Sequence, residues 1–277
     1  MTAEPAPSHP PTLMKTSDSQ SDDTPRVGPP PVLSSPPPCA CQVEHQPRLV
    51  VVTGGPGAGK TAVLEFVRRQ FCEHVVVLPE AASILFGGGF PRSSSRAARR
   101  AAQRAIFHVQ RELERLTLGT SHAAVILCDR GTLDGLAYWP GDHEAFFRDL
   151  STTSEEELAC YSAVIHLRTP SLHEGYDHSN PLRIETARQA HDIDARIASA
   201  WNAHPRYSTI PSENDFFTKA TLALAAIAAQ VPPCCAPACG LGALAQGHAA
   251  VPGAVAHCVP AHESWPARGF ASVVDKS

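Results

Sequence analysis

No stretch of this sequence is apolar and long enough to cross a bilayer. The longest alanine- and leucine-rich run, Ala220 to Val231, falls short of the ~20 residues a spanning helix needs and reads as a closing core helix. A basic charge field is also missing. With a formal net charge of -4 and 18% charged residues, the composition gives no broad attraction to nucleic acid or anionic membrane, and small-molecule chemistry fits better. The opening MTAEPAPSHPP has no apolar run following a basic stretch, and Glu4, Asp18, Asp22 and Asp23 argue against an organelle transit peptide. No export is expected, and the expected location is cytoplasmic. Nine cysteines, an odd number without a secretion signal, argue against a disulfide framework and for reduced thiols. Six lie in the flanks: Cys39 and Cys41 before the core, and Cys234, Cys235, Cys239 and Cys258 after it. Together these could supply a thiolate metal site, but no two pairs show the C-x-x-C spacing of a zinc ribbon, so plain unpaired thiols are expected. The fourteen histidines show no H-E-x-x-H spacing either, and none is assigned to zinc.

What is present is unevenly distributed. Twelve of the 26 prolines precede the first hydrophobic run, so residues 1–47 are expected to be a disordered leader. Residues 48–230 read as one domain, and residues 231–277 as a low-complexity tail rich in Ala, Pro, Gly and Cys. Within the core, short runs rich in Val, Ile and Leu alternate with helical stretches, which implies a parallel sheet with helices on both faces. The expected strands are Leu49 to Thr53, Val75 to Leu78, Ala124 to Asp129, Ala163 to Arg168 and Tyr207 to Ile210, each read as buried on both faces. From Ser95 to Leu118 the apolar stripe runs Ala98, Ala102, Ala105, Ile106, Val109, Leu113 and Leu116. From Ile184 to Ala203 it runs Ile184, Ala187, Ala190, Ile193, Ile197 and Trp201, and Pro205 marks the stop.

The segment Leu49 to Thr53, then Gly54, Gly55, Pro56, Gly57, Ala58, Gly59, Lys60 and Thr61, then Ala-Val-Leu-Glu-Phe-Val reads as strand, glycine loop and helix. It satisfies G-x-x-x-x-G-K-[ST] in the context that pattern requires. Glycines let the backbone wrap phosphates with its N–H groups inward, and the following helix adds its positive end. Lys60 would reach the β- and γ-phosphates, and Thr61 offers a hydroxyl suited to Mg²⁺. Asp129 closes the apolar run Ala-Ala-Val-Ile-Leu-Cys at a strand's C-terminal end, where ligands of such sheets bind. It reads as the carboxylate that holds the metal, with capping of the next helix as the alternative. Arg130, rather than a water-activating Glu, follows it, which speaks against an AAA+ motor. His166-Leu-Arg-Thr-Pro170 carries no guanine-reading N/T-K-x-D element. ATP is therefore the expected nucleotide, with GTP as the alternative.

The chain resembles the NadR-like and TRPL-translocation-defect-protein-like P-loop domain grouped with AAA domains, over roughly residues 48 to 220. The carriers are VVTGGPGAGKT, LPEAASILFGGG, QRAIFHVQRELE, ILCDRGTLDGLAYWP, AVIHLRTPS and NPLRIETARQAHDIDARIASAWNAHP. The resemblance implies an α/β three-layer P-loop NTPase fold. Its five-stranded parallel sheet would have the strand order of nucleoside and nucleotide kinases, with the P-loop strand beside the strand carrying Asp129. It implies either of two activities: NadR-like members include kinases acting on a nicotinamide riboside, while the translocation-defect relatives look like nucleotide-binding trafficking factors linked to GTP and phosphoinositide.

Glu80 follows Val-Val-Val-Leu-Pro and so emerges into the same crevice, where nucleoside kinases place the carboxylate that accepts the acceptor hydroxyl's proton. Its alternative is a helix N-terminal carboxylate. Arg130 resembles the arginine of nucleoside-kinase D-R-S signatures, which orients substrate, with an ion pair to Asp129 as the alternative. Arg183 and Arg188, with Asp192 and Arg196 at four-residue steps, could close as a lid over the transferring phosphoryl group or form a solvated salt-bridge ladder. The run Arg92, Arg96, Arg99, Arg100 and Arg104 reads as a solvated face, with an acceptor phosphate, a phosphoinositide headgroup or an acidic partner as alternatives. Aromatic interleaving is absent, which disfavours nucleic acid. The expectation is a phosphotransferase with a small-molecule acceptor, or else a nucleotide-dependent regulatory module recruiting protein partners through its flanks.

Overall fold

Alternation along the first strand sets the layers of the molecule. In the computed structural model, which describes residues 36–170, 186–212 and 215–239, β1 (Arg48–Thr53) points Leu49 and Val51 to one face of the sheet and Val50 and Val52 to the other. The first pair meets α3 (Arg96–Thr120), α4 (Gly135–Tyr138), α5 (His143–Leu150) and α7 (Ala187–Trp201) through Phe107, Leu136, Phe146, Ile197 and Trp201. The second pair meets α1 (Lys60–Gln70) and α8 (Phe216–Ala228) through Val63, Leu64, Val67, Ala223 and Ile227. With β2 (Val75–Leu78), β3 (Val125–Asp129), β4 (Ala163–Leu167) and β5 (Tyr207–Ile210) the sheet has the order β2-β3-β1-β4-β5, every neighbouring pair parallel. The P-loop strand lies beside the strand ending in Asp129, with Val52 opposite Asp129 in the register. This is the α/β fold and strand order expected from the sequence. Two further short α-helices, α2 (Ala81–Gly87) and α6 (Ser154–Ala159), and two 3-10 turns, Thr132–Asp134 and Ala236–Cys239, complete the described elements. Among the described residues no helix is long and apolar enough to cross a membrane.

Local chemistry explains the element ends. Ser95 accepts from the Ala98 N–H and starts α3, Asp142 accepts from the Ala145 N–H and starts α5, and Thr153 with Glu156 forms a capping box on α6. Thr186 with Gln189 caps α7 at Ala187; Ile184, the expected start of this helix, lies outside the described residues. Two expectations are corrected. β5 is not buried on both faces: Ser208 and Thr209 are exposed, because β5 is a sheet edge. The buried stripe of α3 runs through Ala102, Phe107, Gln110 and Glu114, while Leu116 is 62% exposed. The inward face of α3 is partly polar because it serves a buried network. Glu114 accepts from Tyr161 Oη and Gln110 Nε2 at 2.8 Å each, Tyr161 Oη accepts from the Thr132 N–H at 3.0 Å, and Thr132 Oγ1 donates to Glu157 at 2.6 Å. Cross-linked in this way, buried polar groups fix one geometry, although Glu114 Oε2 has no hydrogen-bond partner among the described residues and lies 3.9 Å from Arg111. They hold the turn after β3, where Arg130 sits.

Candidate functional site

The glycine loop leaves β1 at its C-terminal end and enters α1. Gly54, Gly57 and Gly59 have φ of 147°, 79° and 90°, backbone that side chains rarely adopt. A Cβ on Gly54 would lie 2.2 Å from the Leu167 carbonyl oxygen, so only glycine allows β4 and the loop to approach this closely. Gly54→Ala is therefore expected to lower stability by about 2 kcal/mol or more, read from the denaturant midpoint. Unchanged stability would show that the approach is not tight. Thr169 Oγ1 donates to the Pro56 carbonyl at 3.3 Å, and the Ala58 N–H donates to the Gly55 carbonyl at 3.2 Å. Lys60 is buried at the root of the loop and donates to the Gly54 carbonyl at 3.2 Å. Thr61 is exposed in the first turn of α1.

Three loops at the C-terminal ends of β1, β2 and β3 meet around this lysine. Burial, reinforced by the Arg130 cation, brings the Lys60 ammonium down to about 8, against the pull of Asp129 and Glu80. Arg130 holds a positive φ of 74°, a strained backbone for a non-glycine residue, and donates from Nη1 to the same Gly54 carbonyl at 3.2 Å. Its Nε donates to Glu80 Oε1 at 2.7 Å, and Nη1 lies 3.4 Å from Asp134 Oδ1. Its ion-pair partners are thus Glu80 and Asp134 rather than the adjacent Asp129. Glu80 is the N-cap residue of α2, but its side chain makes no cap bond; it accepts from Arg130 and from Ser83 Oγ. Burial pushes its carboxyl up, yet the Arg130 guanidinium and the Ser83 hydroxyl outweigh that and hold it below the ordinary range. Asp129 goes the other way: burial raises it, only partly opposed by Lys60. Its Oδ1 is buried with no hydrogen-bond partner within the protein. An orphaned carboxylate oxygen beside the phosphate loop is suited to a hard cation or its water ligands, so Thr61 and Asp129 fit Mg²⁺.

Two buried carboxylates that pattern reading passed over hold the loop in place. Asp194 on α7 accepts the Gly55 N–H at 2.9 Å and faces His166 Nε2 at 2.8 Å, while His166 Nδ1 meets Tyr207 Oη at 2.6 Å. Arg168 Nε stands 3.1 Å from the other oxygen of Asp194. Asp134 accepts from the hydroxyl of Thr53, from the Gly131 N–H at 2.9 Å and from Trp201 Nε1 at 3.2 Å. Thus β1, the turn after β3 and α7 share one buried acceptor. The signal was Asp194 itself: it lies in the apolar stripe between Ile193 and Ile197, where a charge needs a partner.

Arg188 is exposed in the first turn of α7, and Arg183 lies outside the described residues. Arg196 bonds the Asp192 carbonyl oxygen rather than its carboxylate. Of the basic run, Arg100 and Arg104 pair with Asp149 at 2.8 and 3.1 Å, and Arg99 donates to the Tyr138 carbonyl at 2.8 Å. With Arg96 and Ala97, Arg100, Arg104 and Asp149 line a groove of about 450 Å³.

A family model described as an AAA domain matches residues 49–217, more than half of the chain. No curated protein matches it. Among solved structures the chain is similar to a NadR protein in complex with NAD and AMP-PNP, at 12% identity and a TM-score of 0.48, covering 67% of this chain and 49% of that one. It is also similar to a thymidylate kinase from Candida albicans, at 12% identity and a TM-score of 0.43, covering 67% of this chain and 93% of that one. The chain thus spans about half the length of the NadR protein it resembles.

Proposed function

The chain belongs to the AAA-domain family of P-loop proteins, and from that premise we propose that it is a Mg²⁺-dependent phosphotransferase that moves the terminal phosphoryl group of ATP to a small-molecule acceptor. The observation that carries the reading is the meeting of Lys60, Glu80, Asp129 and Arg130 at one end of the sheet, with Lys60 and Arg130 both on the Gly54 carbonyl. A nucleotide cradle alone needs the lysine and a metal carboxylate. The Glu80–Arg130 pair beside them is a second, acceptor-side constellation.

On this reading the N–H groups of Gly57, Gly59 and Lys60 hold the β-phosphate, and Lys60 exchanges the Gly54 carbonyl for phosphate oxygens. Mg²⁺, held by Thr61 and Asp129, would neutralise charge on the phosphates. Arg130 orients the acceptor. Glu80, kept ionised by Arg130, takes the proton of the acceptor hydroxyl as its oxygen bonds to the terminal phosphorus and the bond to the departing ADP breaks. Arg188 or Arg183 would supply positive charge to the transferring group. Lys60→Ala is expected to weaken Mg-ATP binding roughly 10- to 150-fold by calorimetric titration, the loss of one charge-assisted contact. Full affinity would remove the loop from the account. The proposal as a whole is tested by incubating the protein with Mg-ATP and a panel of nucleosides and other hydroxyl metabolites. One acceptor class should raise ADP formation well above hydrolysis. Slow hydrolysis indifferent to every acceptor would leave a nucleotide-dependent binding module instead.

A further inference from the structure

At the opposite end of the sheet, three segments distant in sequence bring thiols and imidazoles together. Residues 36–47 precede β1 and carry Cys39, Cys41 and His45; the turn between α1 and β2 carries Cys72 and His74; the segment after α8 carries Cys234, Cys235 and Cys239. His45 Nε2 lies 3.4 Å from Cys41 Sγ and 3.4 Å from Cys235 Sγ, and Cys235 Sγ lies 3.4 Å from His74 Nδ1. The four ligand atoms of Cys41, His45, His74 and Cys235 all lie within 4.8 Å of one another. A tetrahedral zinc with Zn–S of about 2.3 Å and Zn–N of about 2.0 Å has sulfur-to-nitrogen edges of about 3.5 Å, so three edges already stand near their bonded length.

The arm itself adds a second observation. Its one large hydrophobe, Val43, is 58% exposed, whereas Cys39, Cys41 and His45 turn toward the body. Direct backbone anchorage to the α1–β2 turn is slight: the Glu73 N–H donates to the Pro37 carbonyl at 3.3 Å, and the Cys39 N–H donates to Glu73 Oε1 at 3.3 Å. An arm held this way turns its ligating groups inward, Cys39 and Cys41 lying against the core cluster, with no large apolar side chain of its own to anchor it. We propose that Cys41, His45, His74 and Cys235 bind a structural Zn²⁺ that clamps the amino-terminal arm and the carboxy-terminal segment onto the α1–β2 turn. Two thiolates and two imidazoles in a tetrahedral set suit zinc over hard cations, and four protein ligands close the coordination sphere, so the role is structural rather than catalytic. Binding releases the two thiol protons to solvent. Cys39 and Cys72 form a second set with the shared His74 and Cys235, but Cys72 is already engaged by Cys239 Sγ at 3.5 Å. Spacing rules missed the site because its pairs are Cys41-x-x-x-His45 and a lone His74, completed only by the fold.

The test is metal analysis of the full, tag-free chain. The parent is expected to carry about one zinc per chain, and Co²⁺ exchange should give thiolate charge-transfer absorption with the intense d–d bands of a tetrahedral site. Cys41→Ser and His45→Ala, both on the arm and outside the core, should lower zinc content at least about tenfold, while Cys160→Ser keeps it. Chelation should lower the parent's thermal midpoint by roughly 10 °C, the scale for losing a ligand held at ~1,000 times its Kd, and should not move that of His45→Ala. A metal-free parent in which all nine cysteines titrate as thiols, or are found oxidised to disulfides, overturns the proposal. Retention of zinc in Cys41→Ser and His45→Ala with loss in Cys39→Ser and Cys72→Ser overturns the assigned ligand set.

Discussion

Glu80→Gln is expected to cut acceptor phosphorylation about 10²- to 10⁴-fold through kcat, with Mg-ATP affinity within about threefold of the parent, because general-base catalysis contributes on that scale. The substitution keeps the shape of the side chain and an oxygen that can accept from Arg130 Nε, so the arginine stays in place. What disappears is the charge that receives the proton. Arg130 holds the Glu80 carboxyl low, so it is ionised at neutral pH, and the site needs no prior deprotonation to act. A Glu80 acting only as an N-terminal carboxylate of α2 would behave differently. Its side chain makes no bond to the first-turn amides, so Gln would then leave turnover unchanged, and that result would remove the base from the mechanism.

The second large effect is structural and lies on the far side of the loop. Asp194→Ala should destabilise the protein by about 3–5 kcal/mol by chemical denaturation, the scale for removing one partner of a buried charged pair. It strands the Gly55 N–H and His166 Nε2 in a fully buried site and leaves Arg168 Nε facing no carboxylate. Burial alone would raise this carboxyl, but His166, the Gly55 N–H and Arg168 together outweigh it and hold Asp194 below its ordinary value. Asp194→Asn keeps an acceptor for Gly55 and should lose less. Because the Gly55 N–H anchors the glycine loop to α7 through Asp194, nucleotide affinity should fall together with stability. A loss under about 1 kcal/mol in Asp194→Ala would show that the loop is held by sterics alone.

These two residues also mark how far the sequence could be read. All five strands fall within a residue of their expected bounds, because runs such as Val75 to Leu78 are bounded by turns and leave little choice of state, and β5 does so despite its exposed middle. The glycine loop was legible because local sequence alone dictates strand, positive-φ glycines and helix. Glu80 and Arg130 could be placed at strand ends but not paired, since their contact joins residues 50 apart through the register of β2 on β3. Asp134 and Asp194 were passed over for the same reason: their partners, Thr53, Trp201, Gly55 and His166, come from other strands and helices. The cysteine cluster is the extreme case, uniting residues nearly 200 apart that no spacing rule connects.

We propose that the charged constellation at the ends of β1, β2 and β3 transfers a phosphoryl group rather than merely holding a nucleotide. This is tested most directly by following terminally labelled ATP with Mg²⁺ and the acceptor class that raises ADP formation. Label is expected in the organic acceptor, matched one for one by ADP, and lost in Lys60→Ala and in Glu80→Gln. Label appearing only as inorganic phosphate, at a rate the acceptor and Glu80→Gln leave unchanged, would contradict it.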